Sequence, residues 1–373
     1  MSIDIIEVSS KKELQKFVKF YTTLYQSCKY SPFPLHFDEM ETLLKKKNPA
    51  HKHCKAKYWM AYKNGQPAGR IAAIIKENEL SNDNKPIGRH GWFDFIDDKN
   101  VSKALMDTAL NWIKKHDINV VHGPFGFTDL DRQGMLIEGF DKMGTFATLY
   151  NYPYYIEHMK ELKFKKSIDW VEYEINTKNL SLNRINELAH YAAKKYEFSL
   201  VELSSRKELK KYIHDVFNLL NDAYADLYGF MKLTEEQVKH YAKMFINLIK
   251  LDFVSLVVDK NKELIGFGIA MPSFTEASRK AKGQLLPFGW YHFLQAIKKN
   301  EILDLYLVAV KSDYQSKGVN ALLISHTAQK AAEFGILRAE TNIELENNSK
   351  VQNMWHLFER TLHKRRRCYI KEI

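Results

Sequence analysis

The residues best suited to chemistry lie between Asp304 and Gly335, in the run DLYLVAVKSDYQSKGVNALLISHTAQKAAEFG. Leu305 to Val310 is apolar and strand-like, Lys311 to Lys317 is a polar turn, and Gly318 closes it. Leu322 and Leu323 then begin apolar positions at helical spacing. Strand, glycine-containing turn and helix in that order leave several backbone N–H groups unpaired at a helix N-terminus. The free donors and the helix dipole both attract an anion there. A second polar group stands on the expected helix from Val216 to Phe230, where Asn221, Tyr224 and Tyr228 recur at spacings of three and four residues. One helix face carrying an amide and two phenols suits a polar ligand; equally, the tyrosines pack and the amide faces solvent.

The elements that must position these groups are readable around them. Val254–Asp259 and Ile265–Met271 are two expected strands joined at Lys260-Asn261-Lys262. Leu337–Ile343 is another, and Ser199–Leu203 opens this half of the chain. The first half reads as an architectural repeat of the second. A strand at Ile3–Val8 and an amphipathic helix at Lys11–Tyr25 come first. Strands at Tyr58–Tyr62 and Gly69–Ile75 flank an Asn64-Gly65 turn, and a further strand covers Gly91–Phe95. A helix at Val101–His116, a strand at Val120–Gly123, a helix at Tyr152–Leu162 and a closing strand at Ile168–Ile175 complete it. The turn after Phe95 has no glycine, and either Asp97 or Asp98 is expected to cap the next helix, repelling a phosphate. Gly123 to Asp141 is a long irregular stretch, and the loop from Pro272 to Trp290 is a candidate lid.

The stretch Val310 to Leu323 resembles the acetyl-CoA-binding motif of the GNAT (Gcn5-related) N-acyltransferases. In that family Gln/Arg-x-x-Gly-x-Gly/Ala follows a strand, and the turn amides hold the CoA pyrophosphate. Gln315 and Gly318 match, Asn320 stands where a second small residue is usual, and Ser312 where proline is common. Asn348 to Trp355 resembles the family's late helix. The resemblance, which extends to bacterial tandem-GNAT proteins, implies an α/β (α+β, mixed-sheet) fold of two tandem domains. A degenerate GNAT-like domain would span 1–176, a connector helix 177–198, and a GNAT domain with the CoA motif 199–373. The co-substrate implied is acetyl-CoA or another acyl-CoA, with no metal. Val308, Ala309, Val310, Gln315, Ser316, Lys317, Gly318, Val319, Asn320, Ala321 and Asn348 would bind it. An amine of a small molecule or peptide, held by Asn221, Tyr224 and Tyr228, would attack the thioester directly. The family often places Glu on the strand that here carries Tyr306, with Asp304 on the same strand face, so these two are the catalytic candidates. Trp355 stands where the family's thiolate-protonating tyrosine is usual; an indole N–H is not a practical acid. Tyr314 and His356 are the other groups nearby in sequence.

Two other readings use the same residues. A CoA- or metabolite-binding protein without turnover suits Trp355 and Asn320. A Fem-type transferase using aminoacyl-tRNA suits the net charge of +11, but that group generally lacks the pyrophosphate turn and carries a long helical arm not seen here.

Composition bounds the rest. A chain of 373 residues with 45% hydrophobic content can bury two cores. No apolar run reaches the roughly 20 residues of a membrane span, and the start MSIDIIEVSS has no signal-peptide pattern. The three cysteines give no disulfide framework, in keeping with a cytoplasmic location. His51, His53 and Cys54 lack a second ligand pair and read as a surface loop. The basic run His363-Lys-Arg-Arg-Arg367 reads as a solvated face leading into a last strand, with attraction of an anionic ligand as its functional alternative. Neither a membrane nor a nucleic acid is expected as partner, and the oligomeric state, acceptor and acyl chain are left open.

Overall fold

The structure is a computed structural model that describes every residue except 1, 82, 178–181 and 247. The chain divides into two compact units: Met1–Val171 with Thr275–His292 and His363–Ile373, and Glu172–Phe274 with Phe293–Leu362.

The first unit opens with β1 (Ile3–Glu7), α1 (Lys11–Leu24) and α2 (His36–Leu43). Ser10 and Glu13 form a reciprocal capping box that starts α1. β2 (Cys54–Lys63) and β3 (Gln66–Lys76) form a hairpin through Asn64 and Gly65, both at positive φ, as a primed two-residue turn requires. β4 (Ile87–Phe95), α3 (Lys99–Lys114), β5 (Val120–Gly123), β6 (Met135–Glu138) and α4 (Tyr155–Glu161) follow, then β7 (Lys165–Asn176), which leaves this unit after Val171. The order β1-β2-β3-β4-β5 is antiparallel up to β4 and parallel between β4 and β5. The alternation of β2 divides its side chains between two cores. Trp59 and Ala61 join Leu105, Ile113 and Phe95, while Tyr58 and Met60 join Phe17 and Val18. Two ion pairs are buried in the same sheet, Arg70 with Asp94 at 2.7 Å and Arg89 with Glu79 at 2.6 Å.

The second unit takes the end of β7 and continues with α5 (Asn183–Tyr196), β8 (Ser199–Leu200), α6 (Arg206–Ala223), α7 (Glu235–Phe245), β9 (Val254–Val258) and β10 (Leu264–Pro272). α8 (Thr275–Ala281) belongs to the first unit, and α9 (Gly289–Lys298) leads back to β11 (Ile302–Val310). α10 (Val319–Phe334), β12 (Arg338–Thr341), β13 (Glu344–Leu345), α11 (Ser349–Gln352) and β14 (Arg360–Glu372) complete the chain. The strands run β7-β12-β11-β10-β9-β8, antiparallel except for β11 with β12. Ala189 and Ala192 of α5 pack with Val319, Leu322 and Leu323 of α10 over Val257 and Ile265. The stretch 123–141 is not wholly irregular, since β6 within it pairs with β14.

Two expectations are corrected. The basic run is not a solvated face. Lys364 and Arg366 are buried in β14, where their head groups donate to the carbonyls of Met143 and Leu149. Arg367 forms a two-bond pair with Asp169 at 2.7 and 3.0 Å. These charges are consumed by their own unit. The helix expected to reach Phe230 stops at Ala223, with Tyr224 as its C-cap. Successive turns closed by Leu227 and Phe230 N–H groups replace it, so Tyr228 does not share a helical face with Asn221 and Tyr224.

Candidate functional site

β11 and β12 pair in parallel from Ile302–Arg338 to Leu305–Thr341 and no further. Among the described residues, β11 runs on to Val310 paired only on its other side, with β10. The edge of β11 from Tyr306 to Val310 is therefore open where β12 has left it. A bulge sits at the point of separation. Ile269 pairs with Leu307 and Ala270 with Leu305, so Tyr306 is the extra residue. Asn342, just past β12, bridges the gap: its N–H donates to the Leu305 carbonyl at 2.9 Å and its amide to Tyr306 O at 3.3 Å. Tyr224 reaches the same edge from the end of α6 and donates its hydroxyl to Val308 O at 3.2 Å. The open edge is thus a notch of directed backbone groups between two polar side chains.

β11 ends in the expected turn. A short helical turn at Ser312–Tyr314 leads to Gln315, then to Ser316 and Gly318 at φ of 62° and 84°. Gly318 is the N-cap of α10 and offers its first turn no side chain. Gln315, Lys317 and Tyr314 N–H groups bond within the turn, whereas those of Ser316, Gly318, Val319 and Asn320 find no acceptor among the described residues. Four free amides at the N-terminus of a 16-residue helix make an anion cradle. Gly318 is required twice over, for its backbone angle and because a Cβ would stand 2.6 Å from Ala192 Cβ. Lys317 lies over the Tyr314 ring at 5.1 Å, and Lys350 donates to Gln315 Oε1 at 3.1 Å, so cations flank the cradle. Ala321 is already in the first turn of α10 and bonds back to Gly318 O.

The remaining sequence candidates take their places around this frame. Val308, Ala309 and Val310 are the last residues of β11, leading into the turn. Asp304 is buried in the paired part of β11, beside Glu340 of β12, and precedes the notch. The bulge at Tyr306 interrupts the alternation that was to put Asp304 and Tyr306 on one face. Asn348 caps α11, accepting from Val351 N–H at 3.4 Å. Asn221 clamps the loop beyond its helix, giving to and receiving from the backbone of Leu233 at 3.0 and 2.8 Å. Tyr314 is tied to Asp259 Oδ2 at 2.9 Å, and His356 lies between Asn353 and Arg360.

Sequence reasoning missed Glu344. It follows Asn342 by two residues, is buried, and accepts a 2.7 Å bond from the Trp355 indole N–H. Its second carboxylate oxygen, Oε2, is buried without a hydrogen-bond partner among the described residues. Burial pushes its carboxyl up to about 7, against the opposing pull of the indole donor and the Arg360 charge. A carboxylate near neutrality with one oxygen anchored and one free is fit to take a proton. Trp355, anomalous as an acid, is explained as the donor that orients it. No spacing or motif announced this pair, whose members stand eleven residues apart and meet only through β13 and the turn after α11.

The first unit has the corresponding notch, filled by its own residues. β4 and β5 pair from Ile87–Val120 to Arg89–His122, and β4 then bulges near Trp92, which has φ of 43°. Phe125 N–H bonds to His90 O at 2.9 Å, and a Cβ on Gly91 would meet the Phe125 carbonyl at 2.1 Å. Farther on, Phe95 N–H donates to the Tyr155 hydroxyl at 3.0 Å and Tyr154 donates to Phe95 O. Asp98, not Asp97, caps α3, taking the N–H groups of Asn100 and Val101. Among the described residues no group of three metal-ligating side chains comes together, and no helix is long and apolar enough to cross a membrane.

Residues 213–362 match the model of the acetyltransferase (GNAT) family. The whole chain is similar to protein YghO of Escherichia coli, 27% identical over 98% of this chain and 94% of that one. It is also similar to the bacterial ceramide synthase of Caulobacter vibrioides, 25% identical over 100% and 98%. Among solved structures, a tandem GNAT protein from the clavulanic acid biosynthesis pathway matches 100% of this chain and 98% of its own, with a TM-score of 0.58 at 12% identity.

Proposed function

We propose that this chain, whose residues 213–362 match the GNAT family model, transfers an acyl group from acyl-CoA to an amine in its second unit. The observation that carries the reading is the open edge of β11, with an anion cradle of four amides at its end and the near-neutral Glu344 two residues past Asn342, which bonds to the bulge.

The residues of the second unit divide the work as follows. The amides of Ser316, Gly318, Val319 and Asn320, with Lys317 and Lys350 nearby, hold the CoA pyrophosphate. The pantetheine arm lies along the β11 edge as a surrogate strand. The backbone N–H of Val308 polarises the thioester carbonyl; it faces the side β12 has vacated, because Asn342 bonds Tyr306 O there and peptide groups two residues apart point alike. The amine nitrogen attacks the carbonyl carbon and its proton passes to Glu344. The tetrahedral species collapses, the C–S bond breaks, and the CoA thiolate takes a proton from Glu344 or water. Tyr306 and Tyr224 line the approach of the acceptor. The plugged notch and the Asp98 cap favour a first unit that holds no CoA.

A second reading of the acceptor has its own support. The Caulobacter relative, similar over its full length, is named a ceramide synthase, and a ceramide is an N-acylated lipid amine. A long-chain amine with a long-chain acyl-CoA is therefore the second donor–acceptor pair.

The test is release of CoA thiol from acyl-CoAs of two to sixteen carbons against a panel of amines, peptides and long-chain amines. Turnover with at least one pair, lowered about a hundredfold or more by Glu344→Gln, is expected. Calorimetric CoA binding with no turnover on any pair would replace this reading by a non-catalytic binding role. No CoA binding would overturn it.

A further inference from the structure

Between Lys282 and Lys298 the chain runs GQLLPFGWYHFLQAI, fifteen residues without an acidic or permanently charged side chain. Phe293 is buried, but most of the segment's large apolar groups are not. Leu286 and Phe288 are 76% and 73% exposed, and Trp290, Tyr291 and Leu294 are each about half exposed along α9. The other exposed large apolar residues are mostly scattered, as is normal for a surface, apart from the pair Leu188 and Tyr191 on α5. Phe37, next to the His36 N–H that bonds to Gly283 O, is a further exposed aromatic at the base of the segment.

This exposure belongs to an ordered element. Trp290 N–H bonds to Leu285 O at 2.9 Å, its indole N–H to Pro287 O at 2.9 Å, and Tyr291 N–H to Phe288 O at 3.1 Å. At the base, the Arg279 guanidinium donates to the carbonyls of Cys28 and Ser31 at 3.0 and 2.6 Å. The turn is held in shape while its apolar faces point outward. Exposed lysines stand on both sides, Lys280 and Lys282 before it and Lys298 and Lys299 after it, against only Glu276 and Glu301. Apolar and aromatic tips framed by lysines are the composition that enters a headgroup layer. The segment is too short to span a bilayer, for which about 20 residues are needed.

We propose that residues 285–291 dock the protein on an anionic lipid bilayer, inserting Leu286, Phe288 and Trp290 while Lys280 and Lys282, in the same unit, engage headgroup phosphates. This departs from the expectation that no membrane is involved. It stands apart from the acyl-transfer reading, because docking is measured without turnover.

The experiment is co-sedimentation of the full chain with phosphatidylcholine vesicles, with and without phosphatidylglycerol, at about 0.1 and 0.5 M salt. Binding to the anionic vesicles, weakened by salt, is expected. Leu286→Ser/Phe288→Ser/Trp290→Ser should lower it more than about tenfold, since each buried apolar side chain is worth about a tenfold change. Lys280→Glu/Lys282→Glu, which leaves every apolar group in place, should lower binding at low salt more than about tenfold. Brominated lipids should quench fluorescence of the native chain and not of Trp290→Phe. No binding to either vesicle, or equal binding by all variants, would overturn the proposal. So would a native dimer that the triple variant turns into a monomer without any vesicle binding, which would make this face an interface with a second copy.

Discussion

Glu344→Gln separates two roles of one side chain. The folded protein raises the Glu344 carboxyl from 4.5 to about 7, chiefly by burial. Between those values the folded state keeps a proton that the unfolded chain has released. Stability from this group is therefore complete below about pH 4.5 and falls as pH rises through about 7. At 1.36 kcal/mol per decade the loss at alkaline pH is ~3 kcal/mol. Glutamine keeps the shape and the acceptor for the Trp355 indole but never ionises. It should stabilise the second unit at pH ~8.5 by roughly 2–3 kcal/mol, or about 5–10 °C in its melting transition, with little change near pH ~4.5. The same variant should lose acyl transfer about a hundredfold or more. The assay is calorimetric or circular-dichroism melting at both pH values beside thiol release. An equal loss of stability at both pH values would refute the argument, since the native carboxylate would then be stabilised where it lies. A gain in stability with unchanged turnover would keep the electrostatics and remove Glu344 as the base.

Trp355→Phe removes the donor that favours the carboxylate, so the acidic limb of the rate profile should move to higher pH and activity near neutrality should fall severalfold, recovering above about pH 8.5. Lys317→Glu/Lys350→Glu reverses both cations beside the amide cradle; at about 1 kcal/mol each near a surface, affinity for CoA by calorimetry should fall more than about tenfold. Glu79→Gln leaves the fully buried Arg89 without its carboxylate and should cost the first unit about 3–5 kcal/mol in urea denaturation.

What the sequence conveyed, and what it hid, divides along physical lines. The strand, turn and helix from Leu305 to Leu323 were legible because they depend on local residue order and on one glycine that no other residue replaces cheaply. The repeat of strand and helix order in the first half was legible for the same reason. The bulge at Tyr306 was not, because a bulge is a property of the pairing between β10 and β11 and leaves no local mark. The end of α6 at Ala223 was hidden because Asp222 to Leu227 contains nothing that forbids a helix; the clamp between Asn221 and Leu233 decides it. The basic run misled because its charges are satisfied by carbonyls and an aspartate two hundred or so positions away. Glu344 escaped notice because its character comes from burial and from Trp355, neither of which has a spacing.

The order in which this chain is made has a consequence for how it matures. β14 closes the first unit through pairing of Tyr369–Glu372 with β5 and Arg365–Arg367 with β6. Those residues are synthesised about 190 positions after Val171. At ~5–20 residues per second the nascent first unit waits on the order of 10–40 s for its final strand. Until then β5 presents a bare edge and Asp169 has no Arg367. The first unit, most of which is made before the second, is thus completed only after residues 172–362 have been made, and a chain cut short before His363 would leave the cell with an unfinished sheet.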